Sequence, residues 1–301
     1  MKVYNYTPDE CGIDEFESGT LRLAGFEETK IPAEADVFAV PRMMYWMGVE
    51  KIKALPYLKG NEERHAMFCV ADWFRQPLGI PAMMFRCDCT KWIKAQDPTT
   101  IPWAWPVDDL GEWVDLPFER DVVFQGWSST NMTHVVCKSV QESALSAHIQ
   151  IHDFFYGYED ESQPSTQELR ETFLRSMATS RLSLCARSIP EGIARYRFYE
   201  ALSMGRVPVH FCDNCVLPFA DRIDYDRCTI HLPESEAPRT GEILTQWLKD
   251  HDDDEIRAMG AYGREMWARW LDSNHWDELF AEVNQLKREI KPIRSKNNVG
   301  G

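Results

Sequence analysis

The sequence predicts an α/β protein made of two units in tandem, and three observations carry that expectation. The runs DVFAV, AMFCVA and PAMMF are strand-length and apolar almost throughout, the pattern of strands covered on both faces of a parallel sheet. Residues 182–232 alternate strand, helix and strand patterns. At 301 residues and 44% apolar content, the chain is long enough for about two domains, each with its own core.

In chain order, strands are expected over Lys2–Tyr6, Ala35–Val40, Ala66–Ala71, Pro81–Phe85 and Asp121–Gln125, with segments of helical length at Met43–Ala54 and Lys138–Ser146. The cluster IPWAWPVDDLGEW (101–113) has no periodicity and reads as an ordered loop. The acidic, Pro- and Ser-bearing stretch 158–166 reads as a surface linker. Ser165 and Glu168 then have capping-box spacing before a helix over 167–180. A strand Leu182–Ala186, a loop Arg187–Ile193, a helix Ala194–Met204 and strands Val207–Phe211 and Cys228–Leu232 follow, with Gly205 where a helix C-terminal glycine belongs. Three helices close the chain, Gly241–Lys249, Asp254–Leu271 and Trp276–Ile290; the acid run DHDDDE (250–255) reads as a solvated helix start. The expected division is 1–155, 156–275, and a terminal helix and tail over 276–301. No internal repeat is visible.

Charge narrows the partners. Lys and Arg number 33 against 48 Asp and Glu, a formal charge of −15, which argues against nucleic acid or an anionic membrane and favours small molecules or glycans. Asp9, Glu10, Asp14 and Glu15 stand where a signal peptide needs an apolar run, and no stretch approaches the roughly 18 apolar residues of a membrane span. Nine cysteines, an odd and scattered set, suit reduced thiols, so a cytoplasmic protein is expected.

The stretch 184–234 is the most informative. Gly192 lies in a loop leading to a helix N-terminus, where free backbone N–H groups and the helix dipole attract an anion. Between 181 and 206 there are five arginines (Arg181, Arg187, Arg195, Arg197, Arg206), no lysine and two acids (Glu191, Glu200), a local charge of +3 in an acidic chain. Arg195 or Arg197 in the first helical turn can reach a diphosphate held there. Glu200, three residues on from Arg197, can accept the hydroxyls of a ribose. The competing reading is an exposed ion pair on an amphipathic helix whose Phe198, Ala201 and Leu202 face the core.

The run YRFYEALSMGRVPVHFCDNCVLPFADRIDY resembles the signature of the exostosin family of glycosyltransferases, with matching positions at Arg197, Phe198, Glu200, Ala201, Leu202, Pro208, Val209, Asp213, Leu217, Pro218, Phe219, Ile223 and Asp224. Upstream, ADVFAVP (35–41), ERHAMFCVADW (63–73) and FQG (124–126) resemble the family's motifs in the same order, the last as the end of the N-terminal unit. The resemblance implies a GT-B fold: two Rossmann-like domains facing across a cleft, an acceptor-side domain first, a nucleotide-sugar-binding domain second, and C-terminal helices packing back towards the first. It also implies inverting transfer from a UDP-sugar to a glycan acceptor, without an added cofactor and usually without a metal. Donor-binding candidates are then Arg187, Arg195, Arg197, Glu200, Gly192 and Asp213; the loop at 187–193 is longer than usual for the family, which leaves the choice among the arginines open. A neutral sugar, xylose foremost, is the favoured donor.

Inverting transfer needs a base for the acceptor hydroxyl, while cationic groups and a helix N-terminus stabilise the leaving diphosphate. The first candidate is Asp72, at the end of the strand AMFCVAD; His65 is second; the acids Asp9, Glu10 and Asp14 of the first strand-end loop are third. Trp73, Trp103, Trp105 and Trp127 offer faces for sugar stacking. Cys87 and Cys89 with Cys212 and Cys215 make a four-thiolate zinc site arithmetically available, but the sequence around the second pair accounts for it without metal, and none is expected. A catalytically inactive exostosin-like glycan- or nucleotide-binding protein is the alternative function. A dehydrogenase or P-loop enzyme is disfavoured, since neither G-x-G-x-x-G nor G-x-x-x-x-G-K-[ST] occurs.

Overall fold

The computed structural model describes residues 2–11, 27–43, 49–69, 79–80, 82–87, 89–97, 100–105, 107–127, 131–152, 166–186 and 196–272. Its strands form two sheets. The first holds β1 (Lys2–Asn5), β2 (Glu27–Glu28), β3 (Val37–Met43), β4 (His65–Cys69), β5 (Met83–Arg86) and β6 (Thr100–Pro102) in the order β2-β1-β3-β4-β5-β6. The second holds β7 (Arg120–Trp127), β8 (Ala147–His152), β9 (Ser180–Ala186), β10 (Val207–Phe211) and β11 (Ile230–His231) in the order β11-β10-β9-β7-β8. Every pairing within them is parallel. Both sheets start in the middle, step to one side and then wind the other way, so a sequence without a visible repeat folds into two copies of one doubly wound topology.

Helices α1 (Pro8–Cys11), α2 (Val49–Lys53), α3 (Lys91–Gln96), α4 (Asn131–Gln141), α5 (Thr166–Ala178), α6 (Tyr196–Ser203), α7 (Thr240–Asp250) and α8 (Asp253–Met266) complete the described fold. The apolar runs are explained by two-sided burial. In β4, Met67 packs with Tyr4, Phe38 and Met84 on one face, while Ala66 and Phe68 pack with Val3, Phe85 and Trp103 on the other. In β7, Val122 and Phe124 meet Val136, Cys137 and Val140 of α4, and Val123 meets Met177 of α5 and Ala201 and Met204 beyond. Each such buried side chain contributes about 1.5–3 kcal/mol.

Local signals place the helix ends. Asp252 accepts from the amides of Asp254 and Glu255 while Glu255 reaches back to the Asp252 amide, so the acid run is the capping box of α8. Gly205 has φ +67° after α6, and the Arg206 amide donates to Ala201 O at 2.8 Å, the long bond of a helix C-terminal motif. β10 runs over the residues expected of it.

Three expectations change. Residues 121–125, read as the last strand of the first unit, pair with β8 and β9 in the second sheet. The helix expected over 138–146 runs over Asn131–Gln141, and residues 147–152, left unassigned by the sequence, are a strand whose alternation AHIQIH carries the signal. The sheets therefore divide between β6 and β7, ahead of the break expected at 155. Part of the 101–113 segment is also regular, with β6 and a 3-10 turn at Gly111–Trp113. Of the expected linker 158–166 only Thr166, which opens α5, is described; the loop 187–193 and the helix Trp276–Ile290 lie outside the described residues.

The C-terminal strand ends of the two sheets face each other. Beyond β5, the Lys91 amide donates to Asn214 O at 2.8 Å, and the Val216 amide from beyond β10 donates to Cys89 O at 2.9 Å. Met266, Trp267 and Leu271 at the end of the described chain pack against Ala104, and Arg264 donates to Asp109 at 2.5 Å, so the last helical segment returns to the chain that leaves the first sheet.

Candidate functional site

Doubly wound sheets bind ligands beyond their C-terminal strand ends, where the winding reverses. In the second sheet that point lies between β7 and β9, and α6 follows β9. The sequence YRFYEALS puts apolar groups on nearly every side of α6, and all residues from Arg197 to Ser203 are buried. Arg197 Nη2 donates to Gln125 O of β7 at 2.7 Å, and its guanidinium lies 4.6 Å from the Phe124 ring centroid and 5.5 Å from that of Phe173. This packing requires Gly126, which has φ +153° and whose position would bring a Cβ to 2.3 Å from Arg197 Nη2.

Glu200 stands one turn further along and is 2% exposed. One carboxylate oxygen pairs with Arg170 of α5, which also lies 3.8 Å from Asp108. Burial pushes the Glu200 carboxyl above its ordinary range, opposed by Arg170 and Arg197. The exposed i,i+3 ion pair is thus not what forms: both side chains are buried, and the partner of Glu200 comes from another helix.

Arg197 Nε, Glu200 Oε2 and Gln125 Oε1 are buried without a hydrogen-bond partner among the described residues. Orphan polar atoms are rare in folded proteins, and each costs about 1–3 kcal/mol. One donor and two acceptors at the switch point of a doubly wound sheet, beside a buried guanidinium, suit a ligand that carries both hydroxyls and negative charge.

The other expected residues divide. Arg187, Gly192 and Arg195, between β9 and α6, lie outside the described residues. Asp213 follows the C-terminal end of β10, the expected edge; its carboxylate accepts from the Glu234 amide at 3.2 Å and its carbonyl accepts from Lys91 Nζ at 2.7 Å, contacts that fix the loop. The positive island also divides. Arg206 is 2% exposed; its Nε and Nη2 donate to Ala178 O at 2.8 and 2.6 Å, and Nη2 reaches Val114 O at 3.1 Å. Arg181, at the opposite end of β9, pairs with Asp121 and Asp253.

In the first unit, Asp72 lies outside the described residues. His65 is corrected from base to core residue. It opens β4 at the N-terminal edge of the sheet, fully buried, with Nε2 2.8 Å from the Tyr6 hydroxyl, Nδ1 2.8 Å from Asn61 O, and its ring stacked on Phe38 at 4.9 Å. Of the strand-end acids, Asp14 is outside the described residues and Asp9 is an exposed residue of α1. Glu10 accepts from Tyr4 OH at 2.7 Å and the Thr7 amide at 3.0 Å; burial pushes its carboxyl up, but these bonds prevail and hold it below the usual range, so it serves as a cap. Trp103 is buried against Phe68 at 5.2 Å and Trp105 packs, part-buried, against the core, whereas Trp73 and the Trp127 side chain are outside the described residues. The four-thiolate arrangement is not gathered among the described residues; Cys212 and Cys215 group with His210 instead.

Sequence reasoning missed Arg170, 30 residues from its partner Glu200, and Gln125, whose motif was assigned to the wrong sheet. The FQG motif was the available signal: a glycine inside a strand marks close approach by another group.

Comparison with known proteins bears on this region. Residues 121–247, from β7 into α7, match the family model described as Exostosin GT47 domain. Over these residues the chain is similar to that family. Two probable glucuronosyltransferases of Oryza sativa subsp. japonica are 38% and 37% identical over 76 residues, 25% of this chain and 17% of each relative, so the chain spans under a fifth of the curated relatives it matches. A solved glycosyltransferase from Rickettsia africae ESF-5 superimposes with TM-score 0.52 at 11% identity, over 92% of this chain and 86% of that one. The fold is GT-B, and the region that matches the GT47 model holds the second sheet together with Arg197 and Glu200.

Proposed function

We propose that the chain is an inverting glycosyltransferase that moves a sugar from a UDP-sugar to a hydroxyl of an oligosaccharide or glycan. The observation that carries this reading is the set of orphan atoms on Arg197, Glu200 and Gln125 at the switch point of the GT47 domain. In it, Glu200 accepts the ribose hydroxyls, Arg197 sets the positive potential, and Arg187, Arg195 and the Gly192 loop meet the diphosphate at the start of α6. Asp72, three residues past the end of β4 in the sequence, takes the acceptor proton. Leaving-group charge falls on arginines and helix amides, so transfer proceeds in magnesium- and manganese-free buffer.

Xylose is the first donor of this reading. The names of the rice relatives favour UDP-glucuronic acid as the second. A cytoplasmic setting belongs to the same reading, and cell fractionation tests it.

The experiment is a panel of UDP-sugars with glycan acceptors, reading UDP release and the anomeric configuration of the product. Glu200→Ala weakens UDP binding, whereas Asp72→Asn keeps binding and abolishes transfer. No UDP binding and no turnover with any donor sinks the proposal; transfer by Asp72→Asn removes that residue as base; UDP binding without turnover leaves the inactive nucleotide-binding alternative.

A further inference from the structure

We propose that His210, Cys212 and Cys215 form a three-ligand site for a thiophilic divalent cation, zinc first, which clamps the β10 loop where it joins the two sheets. The donor site plays no part in this: Arg197, Glu200 and Gln125 contribute no ligand atom.

The geometry follows from the sequence HFCDNC. Strand alternation puts His210 and Cys212 on one face as β10 ends. The chain then turns through the exposed Asp213 and Asn214, and the Cys215 amide donates to Cys212 Sγ at 3.1 Å, which brings the second sulfur back under the first. Cys215 Sγ lies 3.4 Å from His210 Nε2, and the three ligand atoms all lie within 4.8 Å of one another. Zinc holds sulfur at about 2.3 Å and imidazole nitrogen at about 2.0–2.1 Å, so a tetrahedron has an S–N edge of about 3.6 Å and an S–S edge of about 3.8 Å. The observed 3.4 Å is that edge to within a few tenths. Phe198, 5.0 Å from the His210 ring, holds the imidazole from the side of α6. Among the described residues no fourth His, Cys, Asp or Glu joins the group, and Cys215 is part-exposed, so the fourth position falls to water.

The loop that carries both sulfurs is also the seam. Thr90 and Cys215 form an antiparallel bridge, Lys91 Nζ donates to Asp213 O at 2.7 Å, and backbone bonds join Lys91 to Asn214 and Val216 to Cys89. A cation that fixes the 212–215 turn therefore fixes the strap between the first and second sheets.

The test uses the full chain, freed of metal by a chelator under reducing conditions and titrated with zinc or cobalt(II). One equivalent of zinc binds; cobalt gives thiolate charge-transfer and tetrahedral d–d absorption; zinc protects Cys212 and Cys215 from alkylation, read by peptide mass spectrometry, and slows hydrogen exchange of the 89–91 and 212–216 amides. Cys212→Ser and Cys215→Ser each weaken zinc by at least about 10-fold, since even groups that only support ligands carry 10–100-fold effects. Cys11→Ser, a thiol of α1 in the first unit, leaves zinc affinity unchanged. The site is refuted by no stoichiometric zinc, by protection confined to other cysteines, by a Cys215→Ser protein that keeps affinity and cobalt spectrum, or by a Cys212–Cys215 disulfide that persists in reducing buffer. The alkylation map on the unmutated chain decides the matter even where a serine variant fails to fold.

Discussion

Gly126→Ala tests the joint between β7 and α6. The substitution forces an L residue to φ +153°, a backbone region that costs about 1–3 kcal/mol. It also places a Cβ 2.3 Å from Arg197 Nη2, inside any real carbon–nitrogen contact, so the guanidinium must move by roughly an ångström. That movement breaks the 2.7 Å bond to Gln125 O, and a bond from a charged donor contributes about 1.5–3 kcal/mol. The expected total is about 3–5 kcal/mol, which at roughly 2–4 °C per kcal/mol lowers the melting temperature by on the order of 10 °C. UDP affinity falls by at least about 10-fold, because Arg197 no longer sits at the switch point and 1.4 kcal/mol already gives that factor. The control is Gly60→Ala, at φ +83° with nothing within 4 Å, where only the backbone cost applies. Scanning calorimetry and titration calorimetry with UDP give both readings. Melting and UDP affinity equal to those of the unmutated chain would show that Gly126 and Arg197 are not packed as described.

Arg206→Met removes a buried cation that spans the carbonyls of Ala178 and Val114, leaving acceptors without donors; the urea midpoint shifts by the equivalent of about 3–5 kcal/mol, and a shift below 1 kcal/mol contradicts the assignment. For Glu200, the raised folded pKa means the native state holds more protons than the unfolded chain between the ordinary carboxylate value and the raised one, so stability falls as pH rises through that window. With the ionised carboxylate as the proposed ribose acceptor, UDP binding is expected to move the opposite way; Glu200→Gln flattens both profiles, and an unchanged binding profile removes Glu200 from the donor site. Tyr6→Phe takes the hydroxyl from His65 Nε2 and from the Tyr57 amide, which costs about 1–3 kcal/mol of stability and leaves turnover per folded molecule intact; turnover lost at full stability restores His65 as a catalytic group.

Much of the second unit was legible because its signals are local. The Val207–Phe211 strand, the glycine after α6 and the capping box of α8 each depend on residues within a few positions of one another. The cluster of Arg197 and Glu200 was readable as a pattern but not as a site, since the same i,i+3 spacing serves an exposed ion pair. Burial decides between them, and burial comes from Phe124, Phe173 and Arg170, which reach α6 from β7 and α5. His65 shows the converse: a histidine beside a strand reads as a base until Tyr6 and Asn61 are found on its two nitrogens.

By itself the sequence determined the two-unit α/β class, most strand and helix positions, and the segment that holds Arg197 and Glu200, because periodicity, capping and turn chemistry act over a few residues. The tertiary structure alone decided that β7 and β8 belong to the second sheet, that Arg206 is a structural cation, and that Cys212 and Cys215 meet His210. The reason is range: an apolar strand is compatible with either sheet, and a polar group with several partners, until contacts such as Arg197 to Gln125, 72 residues apart, select one arrangement and leave particular atoms unpaired.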